Sequence, residues 1–400
     1  MSTTLITDVR VFDGEQVIPR TGVLVRDGLI EAITTDPLTG GEVIDGTGHT
    51  LLPGLIDAHT HAFPGSLAQA LRFGVTTELD MFSVPHLFAA VRREARDRDD
   101  VADVRSASVG ANAPGGHPGQ FMGEVFGELP AVRGADDAKA FVAGRVADGA
   151  DYLKILIEDG AGMGARLPTL EPRTVNALVA AARDAGLRSV AHVTTRAAAD
   201  IALDAGVDGL AHLFFEPCPD PEVFASKAAD HGVFVTATLA LIEAITAQSG
   251  LELADDDRIG RRLAPATRAA LGRGLPAGPP PSARVLDSVL RVIQALHQTG
   301  VPLLVGTDAN DGPHGAFPVV HGASIHRELV LLVRAGLTPA QALAAATSVP
   351  AHHFGLTDRG RIAPGLRADL LLVAGDPTTD ITDTRSIAAI WRRGIRQGSV

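Results

Sequence analysis

From Gly54 onward the chain repeats one pattern: a short apolar run, a polar turn, then an amphipathic stretch with helical spacing. The apolar runs are LIDAHTHAF (55–63), VTTELD (75–80), VRSASVGA (104–111), YLKILIE (152–158), SVAHVT (189–194), GLAHLF (209–214), VFVTATLA (233–240) and LLVGTDA (303–309). Stretches such as VPHLFAAVRREARD, DDAKAFVAGRVAD, EPRTVNALVAAARDAG and PEVFASKAADHG lie between them. Most end in a glycine, the residue suited to a left-handed helix C-cap. Eight strands alternating with helices over about 250 residues predict a (β/α)8 barrel, whose functional side chains sit at the C-terminal strand ends. DAGLRSVAHV (184–193) and DAGVDGLAHL (204–213) echo each other without gaps, and each runs from a glycine into a short strand ending in histidine.

The two ends of the chain read differently. TLITDVRVF, TGVLVRDGLIEAI and GEVIDGTGHTLLP are short strands broken by Asp-Gly and Gly-Gly turns, and the tail returns to strands in GRIAPGLRADLLLVAGDP and IAAIWRRGI. The expected architecture is α/β, with a small β-sandwich built from residues 1–54 and 355–400 flanking a barrel of residues 55–354. Residues 241–300 are the least regular, with an acidic run, a basic run and a proline cluster. They predict a lid-like loop or short helices over the site, then a helix near 282–299.

Composition narrows the function. A formal charge of −12 disfavours nucleic acid and anionic membrane as partners, leaving a small-molecule substrate. A homo-oligomer is compatible with the sequence but leaves no trace in it. The single cysteine, Cys218, excludes an internal disulfide, and the absence of a basic-then-apolar leader or an apolar run of membrane length gives a cytoplasmic expectation.

His59 and His61 close the first run, two residues apart and so on one strand face. With 14 histidines in 400 residues, chance alone supplies about 0.5 such pairs, so context decides. In a barrel, His59 and His61 share the C-terminal rim with Lys154 on the fourth strand, His192 on the fifth, His212 on the sixth and Asp308 on the eighth. Four imidazoles and a carboxylate suit Zn²⁺ or a similar ion, and suffice for two ions if something bridges them. An ammonium aimed at a metal would be repelled. Lys154 is therefore displaced, deprotonated, or converted by CO2 to an anionic carbamate.

The set PGLIDAHTH, DYLKI, SVAHV, GLAHL and VGTDA, with the closing GRIAPGLRADLLLV, resembles the amidohydrolase superfamily over nearly the whole chain, in particular its prolidase-like and imidazolonepropionase-like metal-dependent hydrolases. The resemblance implies that His59, His61 and Asp308 hold the more buried ion. His192 and His212 would hold the second, and a carboxylated Lys154 would bridge. Zinc is the first choice, with Mn, Ni or Fe tolerated. It further implies hydrolysis of an amide C–N bond in an N-acyl amino acid, dipeptide or cyclic amide. Metal-held hydroxide would attack the carbonyl carbon while Asp308 moves the proton to the leaving nitrogen.

The alternatives are a mononuclear deaminase of the same superfamily, which would want a glutamate near the fifth- and sixth-strand histidines, and a lactone or ester hydrolase. His117, His314 and His321, in loops over the site, are candidate substrate contacts. His49, His86, His231, His297, His352 and His353 read as structural, and Tyr152 as core.

Overall fold

A computed structural model of the chain describes residues 3–35, 41–119, 127–246, 251–271, 284–311 and 318–398. The amino-terminal strands are β1 (Thr3–Phe12), β2 (Val17–Arg26), β3 (Leu29–Thr34), β4 (Glu42–Asp45) and β5 (His49–Pro53). Eight more follow: β6 (Leu55–Thr60), β7 (Val75–Asp80), β8 (Asp103–Ser106), β9 (Leu153–Ile157), β10 (Ser189–Val193), β11 (Gly209–Ala211), β12 (Phe234–Thr236) and β13 (Leu303–Leu304). The carboxyl end adds β14 (Leu370–Ala374), β15 (Ile387–Arg392) and β16 (Ile395–Arg396).

Strands β6 to β13 are all parallel, in two runs, β6-β7-β8 and β9-β10-β11-β12-β13. Two seams close them into a ring. Ala111 bridges to Ile155, with Ala111 N–H donating to the Lys154 carbonyl at 2.8 Å, and Thr60 bridges to Ala309, with His61 N–H donating to the Ala309 carbonyl at 2.9 Å. The result is the expected α/β barrel. Its regular pairing is shorter than the apolar runs suggest, because bulges and left-handed residues break the ladder where the rim begins. Ile56, Ala58, Leu79, Met81, Ala107, Tyr152, Val190, Phe234 and Leu304 form one buried cluster drawn from the strands. Lys154 and His192 lie two residues beyond Tyr152 and Val190, on the same strand faces.

Glycine matters most at Gly306, where a Cβ would come within 2.3 Å of Thr236 Cγ2 and 2.8 Å of His59 Cβ. Only a residue without a side chain lets the eighth strand approach His59 there.

The terminal segments do meet. Hydrogen bonding joins them in one eight-stranded sheet, β16-β15-β14-β5-β1-β2-β3, with β4 also on β1. Val9, Val23, Ile30 and Leu51 share a core with Leu370, Leu372 and Trp391. The Asp27–Gly28 turn joining β2 and β3 has φ of 50° and 84°, as a two-residue hairpin turn requires. Charge ties sheet to barrel: Asp103 of β8 pairs with Arg359 and, at 3.3 Å, Arg367.

The stretch expected to cover the site is helical where described: Leu239–Ile245, Leu251–Asp255, Asp257–Gly260 and Pro265–Leu271, then the long helix Arg284–Gln298. Its first helix packs through Ala240, Leu241, Ala244 and Ile245 against Ala309, next to Asp308, and the later ones are bound to the body of the molecule. Leu253, Ile259, Leu263 and Leu271 bury against Phe73, Val320 and Ala323, and Arg258 and Arg262 donate to the carbonyls of Thr382 and Ile387. Among the described residues no helix is long and apolar enough to cross a membrane.

Candidate active site

The site is assembled at one seam of the ring. Asp57, fully buried in β6, accepts from His59 N–H (3.2 Å) and Thr307 N–H (3.0 Å) on one oxygen and from the Thr307 hydroxyl (2.7 Å) on the other. Asp308 N–H donates to the His59 carbonyl at 2.8 Å. Asp308 has φ of 62° and His212 φ of 69°, a conformation that costs a non-glycine residue of order 1 kcal/mol or more and concentrates at functional sites.

Asp308 Oδ1 lies 2.8 Å from His61 Nε2 and 3.3 Å from His59 Nε2, and the ligand atoms of these three residues all fall within 4.8 Å of one another. Yet Asp308 Oδ1 and His59 Nδ1 are buried without a hydrogen-bond partner. The three ligand atoms converge on one point, an arrangement in which two imidazoles and a carboxylate can hold a cation. Lys154 Nζ is likewise buried and unpartnered, so it makes no ion pair with Asp308 or Glu158.

His192 and His212 stand beside this group. The His212 ring centroid is 4.5 Å from that of His59 and 4.7 Å from that of His192. His192 Nε2 is 3.1 Å from Glu158 Oε2, and His212 Nδ1 is 2.8 Å from Thr238 Oγ1. Although 184–193 and 204–213 match in sequence, the two histidines differ in backbone: His192 lies within β10, whereas His212 is one residue past β11 in a left-handed turn.

Electrostatics favour the metal-competent form of His59, His212 and Asp308, whereas at His61 burial is outweighed by Asp308 and then Asp80, which raise the imidazole. Burial pushes His59 down to about 3 and His212 well below its ordinary value, leaving the neutral imidazoles whose lone pairs bind metals. Burial would raise Asp308, but His59 and His61 beside it outweigh that and hold it as carboxylate. Burial brings Lys154 down to about 7, with Asp308 opposing. A lysine so placed is in part a neutral amine at neutral pH.

The loop histidines separate. His117 stacks on His192, with ring centroids 5.1 Å apart. His321 is not on the loop surface where substrate contact was expected. It is fully buried, with Nδ1 2.7 Å from Glu78 Oε1 and Nε2 3.9 Å from Asp311 Oδ1, because carboxylates on a neighbouring strand and on its own loop draw the ring inward. His314 lies outside the described residues.

Sequence reading passed over Thr238, Asp57 and the placement of Glu158. Strand parity was the available signal for Glu158, which follows Lys154 by four residues and so shares its face. Thr238 and Asp57 act through folded contacts that no local pattern announces.

A family model described as the amidohydrolase family matches residues 50–397. An imidazolonepropionase of Cereibacter sphaeroides is 27% identical over 403 aligned residues, covering 96% of this chain and 93% of that protein. One from Deinococcus deserti is 37% identical over a shorter stretch, 31% of this chain and 27% of its own length. Among solved structures, a Xaa-Pro dipeptidase with bound methionine in the active site superposes with a TM-score of 0.77 at 22% identity, covering 100% of both chains. A molinate hydrolase gives 0.75 at 20%, covering 99% of this chain and 94% of its own. At such identities these structures speak for the barrel alone. The family model spans most of the chain and takes in all six rim residues, and with it the chain belongs to the amidohydrolase family.

Proposed function

We propose that this protein is a metal-dependent hydrolase cleaving an amide C–N bond of a small molecule, such as an N-acyl amino acid, dipeptide or cyclic amide. Family membership supports C–N bond hydrolysis. The observation that carries the metal is the convergence of one ligand atom each from His59, His61 and Asp308 within 4.8 Å of one another. His59, His61 and Asp308 would hold one divalent ion, zinc first, and His192 and His212 a second. Bound there, the metal would supply Lewis acidity toward a carbonyl oxygen and acidify water.

The chain's own side chains account for proton movement. Asp308, kept ionised, takes a proton from the attacking water at its carboxylate and delivers it to the departing nitrogen. A carbon–oxygen bond forms, the carbon–nitrogen bond breaks, and the amine leaves neutral. The neutral share of Lys154 would add CO2 through Nζ, losing one proton to solvent, and the carbamate would place a negative charge at that buried position. His117, stacked over His192, is the substrate contact we retain. In this reading the terminal sheet folds as a β-sandwich domain of residues 1–54 and 355–400, and the barrel domain comprises residues 55–354.

The decisive measurement is metal content per chain in protein purified without chelator, for the wild type and Lys154→Ala. Near two equivalents falling toward one or none supports the carbamate; no change on mutation makes Lys154 a bystander. A panel of N-acyl amino acids and dipeptides then tests the reaction. Deamination without amide cleavage would favour the deaminase, and turnover of lactones alone the esterase.

A further inference from the structure

Resting on that metal-site reading, we propose that Glu158 is a positioning residue that decides which ring nitrogen His192 turns toward the site. Glu158 directly follows β9, and Thr194 directly follows β10. The register His192↔Leu156 and Val193↔Ile157 brings the two side by side. Glu158 Oε2 receives both His192 Nε2, at 3.1 Å, and the Thr194 hydroxyl, while Oε1 accepts Gly160 N–H at 2.6 Å. Glu158, Thr194 and His192 are all buried.

A carboxylate held by donors on both oxygens can only accept. The His192 proton therefore sits on Nε2, and the Nδ1 lone pair is the one offered to a cation. Nothing comparable fixes His212: its partner, the Thr238 hydroxyl, can either donate or accept and so tolerates both tautomers. The ring of His192 is flanked by His117 at 5.1 Å and His212 at 4.7 Å, and neither neighbour is a carboxylate. With three donors holding it on both oxygens, Glu158 is placed to orient His192 rather than to shuttle protons. This bears on the deaminase alternative, which would need a free glutamate beside this histidine.

Glu158→Gln is the test, because an amide cannot accept on both sides: either the His192–Thr194 side or Gly160 N–H then faces an NH2 group. Histidine ¹⁵N NMR of metal-free protein, with His192 assigned by its loss in His192→Gln, should show Nε2–H in the wild type and mixed tautomers in Glu158→Gln. Competitive Zn²⁺ titration should show one of the two equivalents weakened about 10- to 100-fold, the other within about twofold. Thr194→Val, which keeps Glu158 but removes one of its donors, should give a smaller loss in the same equivalent. It also serves if the glutamine variant does not fold. Protonation of His192 at Nδ1 in the wild type, or unchanged binding of both equivalents by a folded Glu158→Gln, overturns the proposal. Failure of the wild type to bind metal would sink the functional reading instead, while the tautomer measurement would still decide Glu158.

Discussion

Removing the buried pair Glu78–His321 together, as Glu78→Gln/His321→Gln, should abolish a defined share of the pH dependence of stability. Both side chains are fully buried, and His321 Nδ1 is 2.7 Å from Glu78 Oε1. Burial would lower the imidazole, but Glu78, then Asp311 and Asp57, outweigh it and raise His321 from 6.5 to about 9. That shift corresponds to about 3 kcal/mol at about 1.4 kcal/mol per pH unit. Because the folded value is the higher one, the stabilisation is fully present below pH 6.5 and is lost as pH rises through 9. Urea unfolding at pH 6, 7.5 and 9 reads it. The wild type should lose about 3 kcal/mol more than the double variant across that range. The single variant His321→Gln, which strands a buried carboxylate, should be the less stable of the two variants. Parallel pH profiles for the wild type and the double variant would refute a charged His321, and with it the clip that fastens the loop after Asp308 to β7.

Asp308→Asn keeps the shape but neither accepts a proton nor balances the cation. kcat/KM on the best amide substrate should fall about 10²- to 10⁴-fold with circular dichroism unchanged, and retention above a tenth removes Asp308 from proton transfer. Thr238→Val leaves His212 Nδ1 buried without its 2.8 Å partner, at a cost of about 1–3 kcal/mol. A lower Tm with weakened Zn²⁺ binding is expected in a calorimeter and a competition titration, and unaltered metal binding would make Thr238 a packing residue only.

Much of the barrel is written in local pattern. VTTELD and SVAHV appear as strands almost residue for residue, because a short apolar run between turn signals has few other uses in a chain of alternating elements. VFVTATLA misleads. Its strand ends at Thr236 and a helix begins at Leu239, since a run with only two threonines among apolar residues carries no clear period to mark the change. Thr238 turns left-handed at the junction, and Glu328, distant in sequence, accepts the N–H groups of Leu239 (2.9 Å) and Ala240 (2.7 Å) that start the helix. The loop histidines show the same limit. Whether a loop imidazole faces substrate or a buried carboxylate depends on what lies beneath it, and Glu78 beneath His321 is far away in sequence.

Sequence alone determined that strands and helices alternate around a ring and that His59, His61, Lys154, His192, His212 and Asp308 lie on its strands or next to them, since both follow from side-chain periodicity along each segment. Tertiary structure decided which atoms of those residues are left without partners and which are held. Asp57 and Thr307 brace one side of the site, and Glu158, Thr194 and Thr238 the other. Asp57 and Thr307 meet only when the ring closes, the others only when neighbouring strands pair in register, and a hydrogen bond a few ångströms long has no signature in the order of residues along the chain.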